Sequence, residues 1–99
     1  MRRHYLVCYD IRESRRLRRV HKIVRGFGAP MQYSVFACRL TECARAELER
    51  RLLEVIDQRA DNIMVVDLGP VESTAGVFVP GLRILGAPTL PTALGVVVI

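Results

Sequence analysis

Residues 4–11, His-Tyr-Leu-Val-Cys-Tyr-Asp-Ile, are rich in aromatic and β-branched side chains and predict a first strand. Two-residue parity puts Leu6, Cys8 and Asp10 on one face and Tyr5, Val7 and Tyr9 on the other. Asp10 therefore ends a mostly apolar strand, a common place for a functional polar group. At about 100° per residue, Leu17, Val20, Ile23, Val24 and Phe27 form one stripe of a helix over residues 14–27. Ser14 is its expected N-cap, and Gly26 and Gly28 mark its end. Arg15, Arg18, Arg19, Lys22 and Arg25 form the opposite face, and Arg16 falls on the border, leaning along the sheet. Residues 30–40 are extended by composition, as one long strand or as two short ones kinked near Ser34. Thr41 caps a second helix running to about Asp57, with Ala44, Leu48, Leu52, Val55 and Ile56 as its buried stripe. A polar loop over residues 57–62 leads to a strand over residues 63–68.

The order strand, helix, strand or strands, helix, strand describes an α+β fold, a ferredoxin-like βαββαβ sandwich with both helices on one side of the sheet. Residues 1–68 make this core. From residue 69 the character changes: four of the five Pro and five of the seven Gly lie there, and Glu72 and Arg83 are its only charges. Residues 77–79, 82–85 and 96–99 read as short strands between breakers. With 99 residues there is room for one domain and little interior left for an apolar tail. The expectation is a homodimer in which residues 69–99 add a C-terminal strand to the partner's exposed sheet edge.

Charge sharpens the picture. Residues 1–51 carry thirteen Lys and Arg against five acids, and residues 52–99 carry two against five. Nine cations face only Asp10 and Glu13 within residues 1–25. So many like charges at three- and four-residue spacing destabilise an isolated helix, and a polyanion would offset that. All but one of the cations are Arg, whose rigid fork suits phosphate oxygens. With 51% apolar residues the chain is not a disordered one. Cys8, Cys38 and Cys43 lack CxxC spacing and have only His4 and His21 as co-ligands, which argues against a zinc site or a disulfide framework. Cys8 and Cys38 read as small apolar strand residues. No apolar run reaches the roughly 18–20 residues that span a bilayer, and none has the form of a signal peptide. The expected setting is cytoplasmic, with no membrane partner.

Three patterns coincide: Val7-Cys8-Tyr9-Asp10-Ile11, the Arg-rich helix after it, and Phe27-Gly28 leading to Gln32-Tyr33-Ser34-Val35-Phe36 and Cys38-Arg39-Leu40-Thr41. Together they resemble family two of the CRISPR-associated proteins, the small endonuclease of the adaptation step. Arg83-Ile84-Leu85-Gly86 resembles its fifth strand, and residues 96–99 its closing apolar segment. Ala37 stands where that family usually carries an acid. The resemblance implies a ferredoxin-like homodimer that cleaves single-stranded RNA or double-stranded DNA with a divalent metal. It also implies a place in spacer acquisition beside the CRISPR integrase.

Under that resemblance Asp10 is the catalytic and metal-holding carboxylate. Two copies of Asp10 brought together by a two-fold axis suffice for Mg²⁺, or Mn²⁺ in its place, because Mg²⁺ keeps several waters and needs only one or two carboxylates. Arg12, Arg15, Arg16, Arg18, Arg19 and Lys22 position the nucleic-acid backbone. Ser34 is a candidate phosphate contact on the same strand face as Phe36, which packs or stacks there, while Tyr9 packs beside the site. Tyr33 is expected in the core, and His21 is expected to line a surface. The residues alone leave other readings open. Asp10 could simply pair with Arg16 or cap the helix after it. The chain could be a non-catalytic DNA-binding adaptor between integrase dimers, or a toxin-type ribonuclease on the same fold.

Overall fold

The computed structural model describes residues 1–72 and 82–86. Strand β1 (Arg3–Asp10) is followed by helix α1 (Ser14–Arg25), strands β2 (Gly28–Gln32) and β3 (Val35–Leu40), helix α2 (Glu42–Leu53) and strand β4 (Asn62–Pro70). The sheet order is β2-β3-β1-β4 with every neighbouring pair antiparallel, which is the ferredoxin-like arrangement expected. Val7 lies opposite Phe36 on one side and Val65 on the other, so the centre of β1 is also the centre of the core.

The alternation read from the sequence holds through β1. Tyr5, Val7 and Tyr9 pack with Val20, Val24, Phe36, Cys38, Leu40, Leu48 and Leu52 between sheet and helices. The other face carries Leu6, Val35, Ala37, Met31 and Leu68, over which Leu82 and Ile84 fold back. Met64 and Val66 stay exposed. Cys38 is buried, and burial pushes its thiol up to about 11, as suits an inert packing residue.

Local chemistry moves several boundaries. The N-cap of α1 is Glu13, not Ser14: the Glu13 carboxylate accepts from the backbone N–H of Arg15 at 2.6 Å and of Arg16 at 3.1 Å. These bonds, the one to Arg15 foremost, hold its pKa below the ordinary value. Thr41 caps α2 as expected, through a bond from the Ala44 N–H, but α2 ends at Leu53 rather than near Asp57. Its last turn closes early, with the Val55 and Ile56 N–H groups both donating to the Leu52 carbonyl. Asp61 then takes the Asp57 N–H out of any further helix. Residues 30–40 are two strands, because the β2–β3 register slips between Pro30 and Gln32 and the chain turns at Tyr33 and Ser34. Pro30 is tolerated because β2 is an edge strand. Of the expected strand over residues 82–85, only Ile84 makes a bridge. Those over 77–79 and 96–99, and most of the tail, lie outside the described residues.

Gly28 opens β2 against Cys38. A Cβ there would sit 2.4 Å from the Cys38 Sγ and 2.5 Å from the Ala37 carbonyl oxygen. The carbonyl belongs to a central ladder and cannot yield. Gly28→Ala is expected to cost about 1–3 kcal/mol by overpacking, measurable as a lower denaturation midpoint at unchanged slope. An unchanged midpoint would show that β2 can slide away at no cost.

Candidate active site and nucleic-acid interface

Asp10 ends β1 on the face opposite the helices, and its side chain is 63% exposed. Its recorded partner is the exposed Arg12 guanidinium, at 3.5 Å. Neither alternative role for Asp10 holds, since Glu13 caps α1 and Arg16 is taken by another acid. That acid is Asp61, on the loop before β4, with a side chain 0% exposed. Its carboxylate accepts from Arg16 Nε at 2.7 Å, Arg16 Nη2 at 3.3 Å, the Arg12 N–H at 2.9 Å and the Asp57 N–H at 2.9 Å. The Arg16 guanidinium, more than the backbone donors, holds the Asp61 carboxyl far below the usual range. Arg16 and the start of α1 are thereby fixed relative to β4. This makes Arg16 a structural anchor rather than a free phosphate contact. Of the three carboxylates around the end of β1, Glu13 and Asp61 are consumed by the fold, and Asp10 remains.

Arg15, Arg18, Arg19, Lys22 and Arg25 are exposed, and among the described residues none pairs with a carboxylate. The cationic row predicted along α1 is thus available to an anion. Ser34 lies in the β2–β3 turn rather than on a strand with Phe36, and its carbonyl accepts from the Tyr9 N–H at 3.1 Å. Phe36 is 0% exposed, so it packs and cannot stack on a ligand. It meets the Tyr9 ring at 6.2 Å and the His21 ring edge-on at 5.4 Å. Tyr33 contradicts the core expectation: it is 73% exposed. The register slip before it breaks the parity that would have turned it inward. Leu17, expected in the helix stripe, is also 40% exposed.

Tyr9 joins these parts. Its hydroxyl donates to the Tyr33 carbonyl at 3.0 Å and lies 2.9 Å from His21 Nδ1. Tyr9, Leu17, Arg18, His21, Tyr33 and Ser34 together line a groove of about 400 Å³ between α1 and the turn. Burial raises the Tyr9 pKa, which keeps the phenol protonated and in its bridging role. Nothing in the sequence singles out Asp61, the capping role of Glu13 or the Tyr9–His21 contact. Of these, only Glu13, an acid directly before a helix, carries even a local signal.

The family model for CRISPR associated protein Cas2 matches residues 2–73. The chain belongs to the Cas2 family. It is 42% identical over 69 residues to the CRISPR-associated endoribonuclease Cas2 of Geobacter sulfurreducens, covering 70% of this chain and 73% of that one. It is 42% identical over 84 residues to the CRISPR-associated endoribonuclease Cas2 2 of Thermodesulfovibrio yellowstonii, covering 85% and 91%. A crystal structure of a hypothetical protein from Thermus thermophilus superimposes with a TM-score of 0.72 at 28% identity, covering 93% of this chain and all of that one.

Among the described residues no group of three or more His, Cys, Asp or Glu side chains converges. Asp10 offers two hard, exposed oxygens whose recorded ion-pair contact is long. One such carboxylate, or a pair from two subunits, fits Mg²⁺ or Mn²⁺, which fill their remaining positions with water and phosphate oxygens. The donor set is unsuited to zinc.

Proposed function

We propose that this Cas2 chain is a metal-dependent endonuclease of the CRISPR system that acts as a homodimer, cleaving single-stranded RNA or duplex DNA. The observation that carries the reading is the contrast at the end of β1: Asp10 is left uncommitted while both neighbouring carboxylates are bound into the fold. The named relatives are endoribonucleases, which supports RNA as the first substrate to test. The exposed Met64 and Val66 on the face opposite the helices support the dimer, since a second copy would cover them and carry a second Asp10. A CRISPR integrase is the further partner of the proposal, and the cytoplasm its setting. Among the described residues no helix is long and apolar enough to cross a membrane.

In this mechanism the paired Asp10 carboxylates would hold Mg²⁺, or Mn²⁺. The cation would supply Lewis acidity towards water and towards the phosphoryl oxygens. Arg12 stands beside Asp10 and can neutralise an adjacent phosphate. Arg15, Arg18, Arg19 and Lys22 hold the strand along α1 without reading its sequence. Arg16 acts indirectly, by fixing through Asp61 the direction in which that row faces.

The test is cleavage of end-labelled single-stranded RNA with Mg²⁺ and with EDTA, alongside light scattering for the oligomeric state. A dimer with Mg²⁺-dependent cleavage is expected. A monomer, or no cleavage across a pH series, would reject the enzyme reading and leave a binding adaptor. Replacing Arg18 and Arg19 together by Ala should flatten the slope of log affinity against log salt by roughly 1.4–1.8. An unchanged slope would mean that α1 does not carry the strand.

A further inference from the structure

The groove between α1 and the β2–β3 turn takes no part in holding Asp10. It combines features that a solvated surface has no reason to hold. Tyr33, at the tip of the turn, exposes 73% of its surface, and Leu17 exposes 40% beside a row of unpaired cations. Both line the same space of about 400 Å³ with Arg18, His21, Tyr9 and Ser34. Exposed apolar and aromatic surface framed by free guanidinium groups matches a ligand that is flat and apolar on its faces and anionic along its backbone.

The hydrogen bonds inside the groove define its polar edge. The Tyr9 hydroxyl has one hydrogen, and the Tyr33 carbonyl can only accept, so that hydrogen lies on the 3.0 Å contact. The 2.9 Å contact to His21 Nδ1 must then be donated by the imidazole. In the neutral ring the proton sits on Nδ1, and Nε2 keeps a lone pair that no group among the described residues occupies. The turn backbone, the Tyr9 hydroxyl and the His21 ring are held in one arrangement, with the ring braced edge-on by Phe36 at 5.4 Å. In its neutral form the His21 ring, which lines the groove, therefore offers one acceptor in a set orientation.

We infer that this groove is a stacking site for a single unpaired nucleobase. Tyr33 is the platform, Leu17 an apolar wall, His21 Nε2 an acceptor for a base N–H, and Arg18 the contact to the phosphate next to that base. A base within a duplex cannot enter, because its faces and its pairing edge are already engaged. The inference deepens the nucleic-acid reading above and rests on it. It adds a preference for single strands that the cationic row alone would not confer, since phosphate contacts are blind to whether a base is paired or present.

Two strands of equal length and charge separate the terms: a short oligouridylate, and the same strand with abasic sites at its central positions. Both are titrated in EDTA at low salt by fluorescence anisotropy. The native chain is expected to bind the base-bearing strand about tenfold more tightly, from one aromatic stacking contact. Tyr33→Ala should remove that preference and leave the abasic strand bound within about twofold, with an unchanged melting midpoint because the side chain is exposed. Tyr33→Phe should retain the preference. A preference that survives in Tyr33→Ala, or a loss that is equal on both strands, overturns the stacking site while leaving the phosphate-binding face intact. Failure of the native chain to bind either strand rejects the nucleic-acid reading itself, and the stacking site with it.

Discussion

Asp10→Asn is expected to abolish Mg²⁺-dependent cleavage while leaving the fold and the affinity for nucleic acid in place. The two halves of that outcome follow from one fact. The Asp10 side chain is mostly exposed and its recorded ion pair, with Arg12, is 3.5 Å long, so the fold gains little from it. Removing its charge should change stability by no more than about 0.5 kcal/mol, as at other surface positions. Catalysis should lose at least about a hundredfold, because a neutral amide is a poor ligand for a hard divalent cation and no other carboxylate nearby is uncommitted. Affinity should hold or rise slightly, since one negative charge is gone from a cationic surface. Single-turnover cleavage, a melting curve and a binding isotherm on the same preparation check all three. Retained cleavage would remove Asp10 from the chemistry and with it the proposed enzyme.

The opposite balance is expected at Asp61. Asp61→Ala should lower the melting temperature by roughly 10–20 °C, because it strands the Arg16 guanidinium and the N–H groups of Arg12 and Asp57. Mg²⁺-dependent cleavage by whatever fraction remains folded should persist at saturating substrate, with weaker strand binding because the α1 row loses its anchor. The pH dependence has a definite sign. The folded Asp61 carboxyl titrates below its unfolded value, chiefly because of Arg16. Its contribution is complete above the unfolded value near pH 4 and is lost as the pH falls towards the folded one. Native protein should thus lose stability on acidification through this range more steeply than Asp61→Ala. Parallel melting-temperature profiles from pH 5 downward would refute the anchor.

Alternation in β1 and the helical repeat in α1 and α2 were legible because each is set by neighbours a few positions away. Tyr5, Val7 and Tyr9 face the helices, Val20 and Val24 are buried, and Arg16 leans from the border of its helix as the projection indicates. Asp61 was not legible, because it acts on Arg16 from 45 positions away and nothing local to a polar loop marks such an acid. Tyr33 lies outside the core for a related reason. A single extra residue in β2 inverts the parity after it, and that slip depends on how β2 meets β3 rather than on composition. The choice of Glu13 over Ser14 as cap is finer still: both residues can cap, and the start of the helix fixes which one does. Asp10 itself is visible in the sequence as an isolated acid, but its lack of commitment emerges only once the employment of Glu13 and Asp61 is known.

Tyr9 and Asp10 are consecutive, and the pleat sends them to opposite sides of the sheet. A polynucleotide that seats a base in the groove lined by the first and by Tyr33, and offers a phosphodiester to the second, must bend over the rim between them. The nucleotide that is gripped and the linkage that is severed would then be different members of the strand. The enzyme would in effect measure a short fixed interval from an anchored base to its cut.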